Sequence, residues 1–239
     1  QKLAREVGSL FAAKGVDNTT PGCAVGVIEH GQWALRSSFV MANLEHGIPI
    51  TNQSIYRTGS LGKQFTATAI ALLAEQGKID LDEDIHEYMP ELADYGHKVN
   101  VRQIIHHVSG IPDYEQGLPA LQTAGGEDLV LEDEDYLSIE EFYDRDKTIP
   151  LFAPPETVFE YSNTAYFLLS QVVEAVTGQT LREYAQEQIF GPLKMSQSFF
   201  NDEVTDVVKN RVDGYERNDD GSYSIFMTNL SWVGDGGVY

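Results

Sequence analysis

The sequence predicts an α/β fold in which an antiparallel sheet is flanked by helices and joined to a mainly helical part. Three observations carry this. Residues 21–40 read as two strands around a short turn, residues 65–74 and 165–176 are apolar almost all round like buried helices, and helix-capping patterns recur between residues 78 and 200. With 239 residues and 42% hydrophobic content, the chain has material for one large domain or two interleaved ones. The expected division is an α/β part over 1–77, a mainly helical part over 78–200, and a return segment over 201–239 that leaves the α/β part incomplete.

Leu3, Val7, Leu10 and Phe11 recur at helical spacing, which predicts an amphipathic helix over 2–14 ending near Gly15. Strands over 21–28 and 32–40 then turn at Glu29-His30-Gly31. A two-stranded hairpin is not stable alone, so a larger sheet is expected around it. Cys23 is the only cysteine; it excludes an internal disulfide and a multi-cysteine metal site, and in a strand-like run it reads as a small core residue. Asn100 with Gln103 caps a helix over 101–108, Ser138 with Glu141 one from Ile139, and Thr180 with Glu183 one from Leu181 that stops at Gly191-Pro192. Beyond residue 200 only short strands are expected, at 212–215 and 222–227.

The chemistry centres on Ser60, where a polar turn runs into the apolar helix that follows. The first turn of a helix has N–H groups without intrahelical partners and carries the positive end of the dipole, a setting that suits a tetrahedral oxyanion. Lys63 lies about one turn further on, so its amine reaches back toward the Ser60 hydroxyl. A serine needs a neighbouring base, and a lysine serves as one only where burial or nearby charge disfavours its ammonium form, so Lys63 is expected to be buried. The bland reading of Ser60 is a helix N-cap, since a Ser-x-x-Lys also arises by chance. A second constellation, Tyr161-Ser162-Asn163, opens the other buried helix. Its phenol and amide supply the proton relay and the donor–acceptor pair that Ser60 and Lys63 lack.

A formal charge of -21 argues against nucleic acid and anionic membranes as partners, and no apolar run is long enough to span a bilayer. The acidic block within 127–135 reads as a solvated surface insertion. His106 and His107, adjacent on a helix, point to different sides and share no metal, and no phosphate-binding glycine loop occurs. No metal or cofactor is expected.

The set of motifs, taken in order, resembles the penicillin-recognising serine hydrolases: class C β-lactamases, DD-carboxypeptidases, and related esterases and D-amino-acid amidases. It runs from Pro21-Gly22-Cys23-Ala24-Val25 and Asn43-Leu44-Glu45-His46-Gly47 through Ser60-Leu61-Gly62-Lys63 and Leu81-Asp82-Glu83-Asp84 to His107-Val108-Ser109-Gly110-Ile111-Pro112-Asp113-Tyr114 and Tyr161-Ser162-Asn163. The resemblance implies that Ser60 is acylated, that Lys63 takes its proton, that Tyr161 relays a proton to the leaving amine, and that Asn163 holds the substrate's amide. Trp232 matches an aromatic residue that lines the cleft in some members, and reads equally well as core. The site is expected between the α/β and helical parts. The resemblance favours a periplasmic or secreted location, while the residues themselves leave localisation open. The family's third motif, a Lys or His before a glycine on a later strand, falls beyond Gly236-Gly237-Val238-Tyr239. The expectation is therefore a chain completed by the remainder of its own polypeptide or by a second chain.

The favoured substrate is a D-alanyl-D-alanine-type peptide, with a β-lactam or a short-chain ester as alternatives. The rival from another class is a truncated, non-catalytic relative that binds ligands in the same cleft without turnover.

Overall fold

A computed structural model of the chain describes residues 2–17, 19–114, 138–228 and 230–239. The acidic block within 127–135 lies outside the described residues. Two compact units emerge, one from residues 1–57 with 207–228 and the other from 58–206 with 229–239. These limits differ from the expected boundaries after residues 77 and 200. The helix that follows Ser60 makes its packing partners among later helices, and the chain returns to that unit after a detour through 207–228.

The first unit holds helix α1 (Lys2–Ala13) and three separate two-stranded antiparallel pairs. Strands β1 (Cys23–Glu29) and β2 (Gln32–Phe39) form the anticipated hairpin. His30 and Gly31 at its turn have φ of 50° and 74°, the left-handed pair that lets a two-residue turn follow the twist of its strands. Strand β3 (Met41–Asn43) pairs with β4 (Ile48–Pro49). Strand β5 (Tyr215–Arg217) pairs with β6 (Tyr223–Ile225), so the two late strands are shorter than predicted and the first is displaced towards the turn at Asn218–Gly221. One expectation needs correction: Cys23 is only partly buried. The predicted amphipathic helix forms as α1, and its apolar stripe meets β2 through Phe11 stacked on Phe39 at 4.4 Å.

The second unit is helical. A 3-10 turn (Gly59–Gly62) leads directly into α2 (Lys63–Glu75). Helix α3 (Val101–Ile105) follows its capping box, α4 (Ile139–Asp146) and α6 (Leu181–Ala185) follow theirs, and α5 (Asn163–Thr177) starts on the Ser162 side chain and ends at Gly178 with φ 70°. Helix α3 stops short of the predicted 101–108 because His107 adopts a left-handed conformation, φ 56°. After α6 the chain widens into a π turn over Gln186–Phe190, closed by the Gly191 N–H on the Gln186 carbonyl.

The core gathers Ile70 and Leu73 of α2, Phe167, Leu168 and Leu169 of α5, and Phe142 of α4. Each such side chain taken from water contributes about 2 kcal/mol. Helix α5 is buried without a break from Asn163 to Ser170, as its composition predicts. Helix α2 is not buried on every side: Gln64, Thr68, Ala71 and Glu75 form an exposed stripe. Its many alanines are compatible with either surface, so the apolar run overstated its burial.

Candidate active site

All five residues singled out from the sequence fall in the second unit. Ser60 lies in the 3-10 turn before α2, with its residue exposed, whereas Lys63 is buried as the first residue of α2. The turn carries the chain into the helix with the spacing that brings the lysine amine back to the serine, Nζ to Oγ 3.3 Å. From the start of α5 the Tyr161 hydroxyl donates to the same Oγ at 2.7 Å. Serine, lysine and tyrosine thus converge on one oxygen across some hundred residues of sequence.

The Lys63 amine has two closer partners, the Asn163 side-chain oxygen and the backbone carbonyl of Asp235, each at 2.6 Å. Its charge also lies over the rings of Tyr161 and Tyr166, at 4.6 and 5.5 Å. Asn163 is buried with both ends of its amide engaged: its Nδ2 and backbone N–H point to the two Asp113 carboxylate oxygens at 3.4 and 3.3 Å. In this arrangement the Asn163 amide links Lys63 to Asp113.

His107 fixes the tyrosine side of the site. Its ring stacks on Tyr161 with centroids 4.6 Å apart, and its Nδ1 accepts the Ser162 N–H at 3.1 Å, which leaves Nε2 as the protonated nitrogen. Burial, reinforced by the positive charge of Lys63, pushes its pKa down to about 4, so the ring is neutral at physiological pH.

The expectation that Trp232 lines the cleft differs from its placement. Its ring is 3% exposed, stacks on Phe142 with centroids 3.8 Å apart, and meets the edge of Tyr114. A large flat ring among other aromatic rings gains more from burial than from a wet wall, so Trp232 is core. Sequence reasoning gave no site role to His107, Asp113 and Tyr114, which it met only as parts of a motif, and passed over Asp235. The available signal was an aspartate between glycines in an otherwise apolar run, Trp232-Val233-Gly234-Asp235-Gly236.

Three buried carboxyl groups, Asp113, Asp146 and Asp235, lie in the same unit as Lys63. Asp146 is the extreme case. Neither of its oxygens has a hydrogen-bond partner among the described residues, and burial first, then the negative charges of Asp235 and Asp113, push its pKa up to about 8. Among the described residues no group of His, Cys, Asp or Glu side chains is placed to hold a metal ion, and no helix is long and apolar enough to cross a membrane.

A helical unit that presents a serine to a buried lysine and a tyrosine is an arrangement of the serine-hydrolase class. The Beta-lactamase family model matches residues 7–238, and the chain belongs to that family, a superfamily of serine hydrolases. It is similar to Penicillin-binding protein 4 of Amycolatopsis lactamdurans, 28% identical over 192 residues, covering 79% of this chain and 47% of that protein. It is also similar to D-aminopeptidase of Gluconobacter oxydans (strain 621H), 28% identical over 218 residues, with 91% and 39% covered. Among solved structures, the octameric penicillin-binding protein homologue from Pyrococcus abyssi superposes with a TM-score of 0.77 at 29% identity, covering 99% of this chain and 52% of that one. D-amino acid amidase from Ochrobactrum anthropi SV3 gives 0.69 at 26% identity, with 87% and 54% covered. The chain spans about half the length of these relatives or less.

Proposed function

We propose that the protein hydrolyses small amides and esters through an acyl-enzyme on Ser60, with D-alanyl-D-alanine-type peptides and related D-amino-acid amides as substrates. The observation that carries this is the convergence of the Lys63 amine and the Tyr161 hydroxyl on the Ser60 oxygen. A neutral lysine amine has two N–H bonds and one lone pair. With the N–H bonds directed at the Asn163 and Asp235 oxygens, both at 2.6 Å, the lone pair is left facing Ser60. In that state Lys63 is a base aimed at the proton it must take.

Acylation then runs as follows. Ser60 Oγ forms a bond to the substrate's carbonyl carbon while its proton passes to Lys63. The carbon–nitrogen or carbon–oxygen bond breaks, and the leaving group takes a proton through the Tyr161 hydroxyl. Water, deprotonated by the same pair, attacks the ester and returns Ser60. His107 holds the Tyr161 ring in place, and Asn163 holds the lysine. The names of the relatives in Amycolatopsis and Gluconobacter support the choice of D-amino-acid peptides and amides.

The test is to treat the purified protein with a fluorescent penicillin or a fluorophosphonate and find the adduct by peptide mass. Labelling is expected on the peptide that carries Ser60 and is lost in Ser60→Ala; labelling that survives this change overturns the assignment. Turnover of D-alanyl-D-alanine peptides, a chromogenic cephalosporin and p-nitrophenyl esters then ranks carboxypeptidase, β-lactamase and esterase activities. Tight binding with no turnover of any of them selects the non-catalytic reading.

A further inference from the structure

The carbonyl that accepts from Lys63 belongs to a residue whose own side chain is tied elsewhere. Asp235 stands between Gly234 and Gly236, and glycine-flanked backbone has the most conformational freedom to lose. Gly234 sits at φ 109°, packed so closely that a Cβ there would come within 2.5 Å of the Tyr166 carbonyl oxygen. One side of this loop is held by the Thr66 hydroxyl, which donates to the Gly234 carbonyl at 2.7 Å. On the other side the Tyr114 hydroxyl donates to the Asp235 carboxylate. Tyr114 is itself 6% exposed, its N–H donates to Thr164 Oγ1 at 3.0 Å, and its ring packs edge-on against Phe142 and Trp232 at 5.2 and 5.5 Å.

We propose that Tyr114 and Asp235 form a positioning pair for Lys63: the hydroxyl–carboxylate bond locks the 234–236 backbone so that the Asp235 carbonyl meets the lysine amine. Without that carbonyl only one of the two N–H directions that aim the lone pair is fixed, and the amine is free to rotate away from Ser60. Neither side chain touches Ser60 or the Lys63 amine; both act through the Asp235 backbone carbonyl that meets Lys63. The inference rests on the reading of Lys63 as the base, and its structural half stands independently of it.

Two readouts separate these parts. The first is the side-chain nitrogen resonance of Lys63, from protein labelled with nitrogen-15 lysine, in the parent, Tyr114→Phe, Asp235→Ala and Asp235→Asn. The second is the rate of Ser60 labelling by a fluorophosphonate, with initial binding measured apart from bond formation. Tyr114→Phe and Asp235→Ala are expected to shift the lysine signal and slow bond formation about ten- to a hundredfold with little change in binding, the effect of a small misplacement at a reacting group. The double variant is expected to be no worse than either alone, because the two changes remove one bond. Asp235→Asn keeps an oxygen for the tyrosine hydroxyl and is expected to restore most of the rate, which a merely structural loss would not allow. An unchanged Lys63 signal in both Tyr114→Phe and Asp235→Ala overturns the pairing whatever the activity. A shifted signal in a protein whose Ser60 is never labelled supports the pairing and refutes the catalytic reading. Where Tyr114→Phe does not fold, Asp235→Ala against Asp235→Asn gives the same decision.

Discussion

Replacing Asp146 by asparagine is expected to stabilise the protein increasingly as pH rises. Asp146 ends α4 at 1% exposure, its two oxygens lack hydrogen-bond partners among the described residues, and its pKa is pushed from 3.8 up to about 8 by burial and by the charges of Asp235 and Asp113. Between these values the folded chain holds a proton that the unfolded chain has released. Stability attributable to this group is therefore complete below pH 3.8 and falls as pH rises to about 8, above which it is level. Each pH unit in that window is worth about 1.4 kcal/mol. The full loss is on the order of 5 kcal/mol, comparable with the whole margin of many domains. Asparagine has the same shape and does not ionise, so the difference between variant and parent isolates the carboxyl from every other titrating group. Burying its unpaired amide costs about 1–3 kcal/mol, a constant offset across pH. The assay is urea unfolding of both proteins at pH 5.5, 7 and 8.5, followed by tryptophan fluorescence. A difference in unfolding free energy that stays flat over those three pH values would refute the reasoning, because it would mean that the carboxyl ionises as it does in water.

Two further expectations follow from the same unit. His107, held neutral by burial and by Lys63, has a folded pKa of about 4 against an ordinary 6.5, so its contribution is present above pH 6.5 and is lost as pH falls towards 4; its ring-proton NMR signal should not titrate between pH 5.5 and 8, and a midpoint near 6.5 would contradict the placement. Gly234→Ala puts a methyl group 2.5 Å from the Tyr166 carbonyl oxygen at a φ of 109°, so a loss of about 2 kcal/mol or more in thermal unfolding is expected, with slower Ser60 labelling; an unaltered melting temperature would show that the loop yields.

Local signals were the legible ones. Asn100 with Gln103, Ser138 with Glu141, and Thr180 with Glu183 all form their capping boxes, because each bond needs only atoms three residues apart. The hairpin turn at His30-Gly31 was readable for the same reason. The spacing of Ser60 and Lys63 was readable too, since a helical start fixes their distance. What escaped depends on tertiary partners. Helix α3 ends early because His107 turns to meet Ser162 and Tyr161, which are more than fifty residues away. Trp232 is core because Phe142 and Tyr114 are there to cover it. Asp113 and Asp235 meet Lys63 through Asn163 and through the glycine-flanked loop. No spacing rule within the chain marks such residues.

The carbonyl that steadies Lys63 arrives 172 residues after the lysine itself. Three of the groups around Ser60, namely Lys63, Tyr161 and Asn163, precede residue 164 in the chain, and α2 and α5 have each other to pack against once residue 177 is made. Residues 230–239 enter that assembly only later, after the detour through 207–228, and the Phe199–Tyr239 and Asn201–Gly237 backbone pairs close them onto it. Synthesis at about 5–20 residues per second puts several seconds between Asn163 and Asp235. Under the proposed mechanism, the carbonyl that aims Lys63 is therefore the last of these groups to be made.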